Sequence, residues 1–258
     1  MTGNVLLIPC GGQGRRWQNY QGVPKPMISV DGETLVKRTA RLFRSRVSFL
    51  SVYLIGTDPR LAFQGIQLVP PDPDALGNDF DKLACGWSRW STTGRTWIVW
   101  ADVYLTTLAV EWMTRPGLAD LAWYGRLGPS RHTGKPYAEL WGLSFLPEAQ
   151  GRLGAAIANC SLMYQAGDIP RALAWSVYEK TSGLKVCSCE QATRDRGRGF
   201  ECIDDRTEDF DYPHDLDTWL ATQPRGSGVE VNEHADATAG RTVNPVPLGP
   251  GAELRDRD

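Results

Sequence analysis

Residues 6–30 read LLIPCGGQGRRWQNYQGVPKPMISV, and this stretch decides the fold of the chain. Its apolar start predicts a buried β-strand over residues 4–9. Closely spaced glycines follow, and because glycine lacks a Cβ, several backbone N–H groups of such a turn can approach one anion. Arg15, Arg16 and Lys25 add positive charge. The stretch therefore indicates a strand that ends in a phosphate-binding turn, with a plain β-to-α turn and solvated arginines as the alternative.

Two common glycine motifs do not fit this stretch. The P-loop needs Gly-Lys followed by Ser or Thr, which does not occur here. The dinucleotide-binding fingerprint needs a helix directly after the glycines, whereas residues 20–26 contain Pro24 and Pro26 and are poor helix material. The signal therefore comes from the complete string of residues and not from the glycines alone.

The complete string resembles the signature of the sugar-phosphate nucleotidyltransferases, which have a GT-A-like fold. It consists of the strand, GGQGRRW, GVPKPMI and VDGETLVKRT, and the likeness is dense over residues 5–40. The resemblance implies catalytic roles for Arg16 and Lys25, which would stabilise charge at the phosphorus under attack. It assigns binding of the NTP triphosphate to Gly12 and Gly14, which match the family's pattern together with Arg16. Gly11, Gln13 and Arg15 lie in the same turn and are predicted to bind the nucleotide with them. Two features depart from the family: Cys10-Gly11 replaces small Ala residues, and Arg15 is an additional arginine.

Asp102 is the first predicted metal ligand. It closely follows an apolar run at residues 96–100 that predicts a buried strand. Ligands of open α/β sheets bind at the carboxyl ends of strands, so a carboxylate here suits a metal–nucleotide site. The family resemblance implies that Asp102 binds Mg²⁺, although Ala101 stands in place of the family's glycine. The alternative is that Asp102 caps a helix predicted near residues 106–114.

Asp211 is the second predicted metal ligand. It lies in DFDYPHDL, residues 209–216, which resembles the family's closing D-x-x-x-D-L segment. A helix that starts with Pro213 is expected to follow, and Asp215 suits its first turn, where the helix dipole favours negative charge. Asp209 is the weaker candidate for the same metal position.

Two further segments resemble binding segments of the family. Gly77 and Asn78 precede a helix predicted over residues 79–90 and correspond to the segment that reads the base; an Asn helix cap is the alternative. Lys135 ends a polar, glycine-rich loop over residues 126–135 that is expected to be flexible, and Glu139 lies in the strand predicted after it, over residues 137–145. They correspond to contacts with the acceptor, Lys135 with its phosphate and Glu139 with its hydroxyls. Plain surface charge is the alternative for both.

Composition excludes several classes of protein. The 258 residues are 41% hydrophobic, enough for one large α/β domain over residues 1–223. Residues 224–258 carry few large apolar side chains and are predicted to be a disordered tail. A net charge of −2 argues against nucleic-acid binding. Six cysteines lack zinc-site spacing, and no signal or membrane span is visible, so a cytoplasmic protein with reduced thiols is expected.

The order of predicted elements defines the expected fold and function. Strands alternate with helices, with late strands at 184–187 and 200–205, which predicts a Rossmann-like three-layer α/β/α sandwich with a mostly parallel sheet. The resemblance implies transfer of an NMP from an NTP to a sugar phosphate or polyol phosphate, with Mg²⁺ as cofactor and release of pyrophosphate. The expected partners are these two substrates, without nucleic acid or membrane, and a homo-oligomer stays open.

Two alternatives to this function remain. One is a GT-A glycosyltransferase that uses an NDP-sugar. Such an enzyme would need an Asp-x-Asp motif where the sequence has Asp102-Val103-Tyr104. The other is a nucleotide-binding protein without catalytic activity. The sequence indicates neither the base of the NTP nor the acceptor.

Overall fold

A seven-stranded mixed sheet lies at the centre of the protein. The computed structural model describes residues 3–11, 16–17, 20–72, 77–186 and 194–223. Across the sheet the strands follow in the order β10 (Phe200–Cys202), β8 (Leu121–Arg126), β9 (Glu139–Phe145), β6 (Thr96–Val99), β1 (Asn4–Pro9), β4 (Leu50–Ile55) and β5 (Gln67–Val69). β9 is antiparallel to both of its neighbours, while the other adjacent strands of this sheet run parallel.

Apolar alternation along the central strand explains the two layers of helices. In β1, Leu6 and Ile8 face one side of the sheet and Val5 and Leu7 face the other, and all four are buried. The helices divide accordingly, with α1 (Leu35–Arg44) and α3 (Thr107–Thr114) on the first side and α2 (Asp79–Ala84), α4 (Gln150–Gln165) and α5 (Ala174–Ser182) on the second. The predicted three-layer sandwich is confirmed.

A third, smaller apolar cluster joins segments from the two ends of the described chain. Its buried members are Trp17, Ile28, Val30, Leu35, Tyr104, Phe210, Leu216 and Trp219. The last two belong to α6 (Pro213–Ala221), which starts with a proline as predicted. Two short antiparallel ribbons adjoin the cluster: β2 (Ser29–Val30) with β3 (Glu33–Thr34), and β7 (Val103–Tyr104) with β11 (Glu208–Asp209). Residues near position 20 are thereby held beside residues beyond position 205.

Three local predictions are wrong. The helix predicted over residues 79–90 ends at Ala84, because Gly86 has a φ of 59° and a separate 3₁₀ turn, Trp87–Arg89, follows. Residues 184–186 form no strand. The strand predicted over residues 200–205 ends at Cys202, and the sequence did not predict β11. The predicted tail, residues 224–258, and position 187 lie outside the described residues, so the disorder of the tail stays a prediction.

Among the helices that the structure describes, none combines the length and the apolar character needed to cross a lipid bilayer.

Candidate functional site

The predicted phosphate-binding turn follows the central strand. β1 pairs in parallel with β4 and β6, so the carboxyl ends of all three strands lie at one edge of the sheet. Gly11 is half-buried at this edge. The other residues assigned to the turn, Gly12, Gln13, Gly14 and Arg15, lie outside the described residues, and their role in nucleotide binding stays a prediction.

Lys25 is placed by a short rigid segment. Flanked by two prolines, it begins the single 3₁₀ turn Lys25–Met27. Its side chain is only 14% exposed, and Nζ donates to Asp102 Oδ2 at 2.7 Å and to Asp209 Oδ1 at 3.3 Å, with Asp211 Oδ1 at 3.8 Å. Burial alone would lower the pKa of Lys25, but these three aspartates outweigh it and raise the pKa above its ordinary value. The ammonium group therefore stays charged at neutral pH.

The ribbon of β7 and β11 brings the aspartates together. Asp102 precedes β7, and Asp209 ends β11 directly opposite Val103. The backbone N–H of Phe210 donates to the carbonyl of Asp102 at 3.4 Å. Asp102 and Asp211, the two predicted metal ligands, thus contact the same ammonium group although they are far apart in sequence.

Asp102 does not cap the following helix. The cap of α3 is Thr106, whose Oγ1 accepts a hydrogen bond from the N–H of Ala109 at 2.9 Å. The alternative of a helix-capping role for Asp102 is therefore wrong.

Lys135 lies at the floor of the same network. Its side chain is 4% exposed, and Nζ donates to the carbonyl of Asp209 at 2.7 Å. Carboxylate oxygens of Glu139, Asp211 and Asp215 lie at 3.2, 3.4 and 3.6 Å from Nζ. Burial acts to lower the pKa of Lys135, and the surrounding carboxylates, Asp209 first, raise it well above its ordinary value. This cation therefore offsets part of the negative charge of the acidic cluster from within.

Glu139 is buried beside Lys135, with only 7% of its side chain exposed. Burial and the neighbouring Asp209 raise the pKa of Glu139, while Lys135 acts in the opposite direction. The alternative of plain surface charge is therefore wrong for both residues. Their role as acceptor contacts stays a prediction.

A group of three carboxylates has the donor chemistry of a metal site. One oxygen each of Glu139, Asp209 and Asp211 lies within 4.8 Å of the other two. Carboxylate oxygens are hard donors of the kind that Mg²⁺ prefers, so the donor set fits this cation. Asp211 is common to this group and to the predicted pair, whereas Asp102 adjoins the group through Lys25.

Arg16 lies at the exposed rim of the network. Its side chain is 52% exposed, and one guanidinium nitrogen donates to Asp211 Oδ1 at 3.3 Å. The guanidinium also lies over the ring of Tyr212, 5.6 Å from its centroid. The adjacent Trp17 is buried in the third apolar cluster and anchors this segment.

The segment predicted to read the base forms a helix cap. The Oδ1 atom of Asn78 accepts from the N–H groups of Phe80 and Asp81 at 2.8 and 3.1 Å. Asp81 Oδ2 in turn accepts from the N–H groups of Gly77 and Asn78. The alternative, a helix cap, is therefore correct for the Oδ1 atom of Asn78. Base recognition by Gly77 and Asn78 stays a prediction.

Lys82 is a charged neighbour of the site that the sequence did not point to. It projects from α2, where Nζ donates to Asp79 Oδ1 at 3.0 Å. Burial acts to lower the pKa of Lys82, and the charges of Asp79, Asp102 and Asp209 raise it. No sequence pattern around residue 82 indicates that Lys82 lies near the site, because its location depends on where α2 packs.

Comparison with known proteins identifies the fold. No protein-family model matches the chain, and no curated protein matches it in sequence. Among solved structures, CTP:phosphocholine cytidylyltransferase from Streptococcus pneumoniae is similar with a TM-score of 0.55 and 13% identity, over 86% of this chain and 100% of that one. A candidate glucose-1-phosphate thymidylyltransferase from Bacillus anthracis is similar with a TM-score of 0.54 and 10% identity, over 84% and 94%.

A third similar structure is that of a protein from Mycobacterium sp. strain JC1, which is a homologue of a Mycobacterium tuberculosis protein. It has a TM-score of 0.52 and 17% identity, over 84% of this chain and 95% of that one. These identities are low, so the likeness establishes a shared fold: the chain folds as the solved nucleotidyltransferases do.

Proposed function

We propose that this protein transfers a nucleoside monophosphate from an NTP to a phosphorylated sugar or polyol and releases pyrophosphate, with Mg²⁺ as cofactor. The observation that carries the proposal is the meeting of Lys25, Asp102 and Asp211 in one network beside the end of β1. These residues come from three distant segments, and each was singled out by its own motif. The fold shared with solved nucleotidyltransferases adds support.

The proposed reaction needs positioning and charge neutralisation more than a protein nucleophile. An oxygen of the acceptor phosphate attacks the α-phosphorus of the NTP in line, the bond from that phosphorus to the β-phosphate oxygen breaks, and pyrophosphate leaves with the electron pair. Arg16 at the rim and Lys25 in the network would hold the triphosphate and offset charge at the reacting phosphorus. Binding would require Lys25 to exchange an aspartate contact for a phosphate oxygen.

The acidic residues would hold the cation. Asp102 and Asp211 are the proposed ligands, and Asp209 and Glu139 lie close enough to join them. Mg²⁺, when bound, would neutralise phosphate oxygens of the nucleotide. In the proposed acceptor role, Lys135 would have to release one of its carboxylates to meet the acceptor phosphate, because its ammonium group is now fully surrounded.

A pyrophosphate-release assay tests the proposal. Each of the four NTPs is combined with Mg²⁺ and a panel of sugar and polyol phosphates, and products are identified by mass spectrometry. We expect Asp102→Asn and Lys25→Met to lower kcat by about 100-fold or more, because each removes a group that acts on developing charge. Asp58→Asn, which breaks an exposed ion pair with Arg60, is the matched control and should keep wild-type activity.

Other outcomes of this assay, of an assay supplied with NDP-sugars and of thermal unfolding with each NTP would replace the proposal. Near-normal pyrophosphate release by either site variant would contradict the assigned roles. Consumption of an NDP-sugar without use of an NTP would indicate the glycosyltransferase. An NTP-induced rise in the unfolding temperature without pyrophosphate release from any acceptor would indicate a non-catalytic nucleotide-binding protein.

A further inference from the structure

A buried polar network lies next to the site but contains none of the residues that the motifs singled out. Arg126 and Ser130 are each 8% exposed, and Glu208 is completely buried. A guanidinium nitrogen of Arg126 donates to Glu208 Oε1 at 3.3 Å, and the hydroxyl of Ser130 donates to Glu208 Oε2. Both oxygens of this carboxylate therefore accept hydrogen bonds. One donor, Arg126, ends β8, and the other, Ser130, lies in the loop over positions 127–138 that connects β8 to β9.

The same residues close the loop upon itself. Ser130 Oγ accepts from the N–H groups of His132 and Thr133, both at 3.0 Å, and the N–H of Ser130 donates to the carbonyl of Lys135 at 2.9 Å. Arg126 also donates to the carbonyls of Gly128 and, at 3.2 Å, of Tyr137. The loop that the sequence predicts to be flexible is thus tied at its beginning, middle and end.

Glu208 connects this loop to the proposed metal ligands. It immediately precedes Asp209 in β11, and β11 pairs with β7 next to Asp102. From the loop side, Lys135 donates to the carbonyl of Asp209 at 2.7 Å. A displacement of the loop would therefore move the buried ammonium group and the acidic strand together.

The hydrogen bonds of this network indicate that it fixes the position of Glu208. An ion pair in a protein interior is weak evidence of stability, because well-packed apolar side chains of similar volume often serve as well or better. Directional hydrogen bonds from Arg126 and Ser130 to both oxygens of one carboxylate fix its location more narrowly than apolar packing does.

We propose that Arg126, Ser130 and Glu208 are positioning residues that hold the loop against β11 and so fix Lys135 and Asp209 relative to Asp102. The consequence for turnover rests on the proposed nucleotidyl transfer, whereas the mechanical connection does not. In this proposal the three residues act through Lys135 and Asp209, not through contact with substrate or cation.

Hydrogen exchange and kinetics together test this inference in the full-length protein. Glu208→Gln keeps the shape of the side chain and removes the charge that faces Arg126. Ser130→Ala keeps both charges and removes the hydroxyl on which the loop closes, so it remains informative if Glu208→Gln does not fold. Glu201→Gln is the control with the same chemical change, since Glu201 on β10 pairs with Arg115, which follows α3, at 2.7 Å, outside this network.

We expect both network variants to accelerate amide exchange in peptides that cover residues 127–138 and 206–212 by about tenfold or more, with the control unchanged. We expect kcat to fall about tenfold to 100-fold while KM for the NTP stays within about twofold, because small displacements of reacting groups are costly. Unchanged exchange in both regions would overturn the inference. So would faster exchange with kcat within about twofold of wild type.

A wild-type protein without pyrophosphate release would defeat the proposed function separately. The exchange data would then decide the mechanical connection: joint acceleration at 127–138 and 206–212 would support it, and acceleration confined to the loop would overturn it.

Discussion

At the scale of single residues, Lys25 joins three carboxylates that come from two distant segments of the chain. Its ammonium group contacts three aspartates and is nearly buried, so removal of the ammonium leaves Asp102, Asp209 and Asp211 without this counter-charge. A buried charge that loses its partner is costly, and an added cation can take the place of the missing one.

Lys25→Met should therefore lower the free energy of unfolding by about 2–3 kcal/mol in the absence of divalent cations. Millimolar Mg²⁺ should restore stability to this variant more than it stabilises the wild type. Urea unfolding with and without Mg²⁺ measures both effects. Lys37→Met, which removes an exposed ammonium group over the ring of Phe63, should change stability by less than about 0.5 kcal/mol. Equal stabilisation of wild type and variant by Mg²⁺ would contradict this account of the network.

The cysteines provide a second prediction at this scale. Burial raises the pKa of Cys85 to about 12, and burial followed by Cys85 and Asp102 raises the pKa of Cys10 further. Thiolate is the reactive form, so both thiols should resist alkylation at mildly alkaline pH. The exposed Cys202 should react first among the four described cysteines, measured by peptide mapping after short exposure to iodoacetamide. A Cys10 that reacts as fast as Cys202 would contradict the raised pKa of the Cys10 thiol.

Some residues of the candidate site could be singled out from sequence and others could not. Lys25, Asp102 and Asp211 each lie in a local motif, between prolines, after an apolar strand or before a proline-started helix, so local sequence was enough to single them out. Burial of Lys135 and Glu139 and the charge contact of Lys82 depend on which elements pack together. No local pattern encodes such contacts, and the same residue types usually lie at the surface.

At the scale of elements, the predictions that succeeded were those for strands and helices with a long enough and regular enough pattern of apolar residues. β1 and β6 are short apolar runs whose residues are buried almost throughout, and both were predicted. β11 contains only Glu208 and Asp209, and it is a strand because it pairs with β7 across more than a hundred residues of sequence. Two acidic residues carry no strand signal of their own, since β-propensity depends on context.

The end of α2 shows the opposite case, in which a single glycine overrides a helical pattern. A Cβ at Gly86 would lie 3.1 Å from Ile55 Cδ1 at a φ of 59°, so Gly86→Ala should destabilise the protein by about 1–2 kcal/mol. Gly154 in the interior of α4 meets nothing within 4 Å, and Gly154→Ala should stabilise by about 0.5–1 kcal/mol. Urea unfolding of the two variants should show shifts of opposite sign. A neutral Gly86→Ala would mean that the turn after α2 can take another conformation.

At the scale of the whole molecule, the third apolar cluster joins the amino-terminal segment to α6. Trp219 is completely buried in it, its indole N–H donates to the carbonyl of Arg206 at 3.0 Å, and its ring contacts those of Tyr104 and Phe210. The cluster therefore holds the segment that contains Lys25 against the ribbon that contains Asp209.

Two changes near the carboxyl terminus should therefore have very different effects on the free energy of unfolding. Trp219→Ala should cost about 3–5 kcal/mol of unfolding free energy, because it empties a fully buried site. Removal of residues 224–258 should change it by less than about 0.5 kcal/mol, because that stretch has few large apolar side chains with which to add to a core. Urea unfolding measures both, and a large loss on truncation would show that the predicted tail belongs to the folded domain.

The ribbon of β7 and β11 also constrains the order of events during protein synthesis. A nascent chain can assemble β1, β4, β5 and β6 once its residues up to Val99 have been synthesised. The acidic strand that faces Lys25 leaves the ribosome only after position 209, so until then Lys25 has at most Asp102 of its three aspartate partners. A chain released early could thus hold a largely formed sheet and still lack the carboxylates that complete its charged edge.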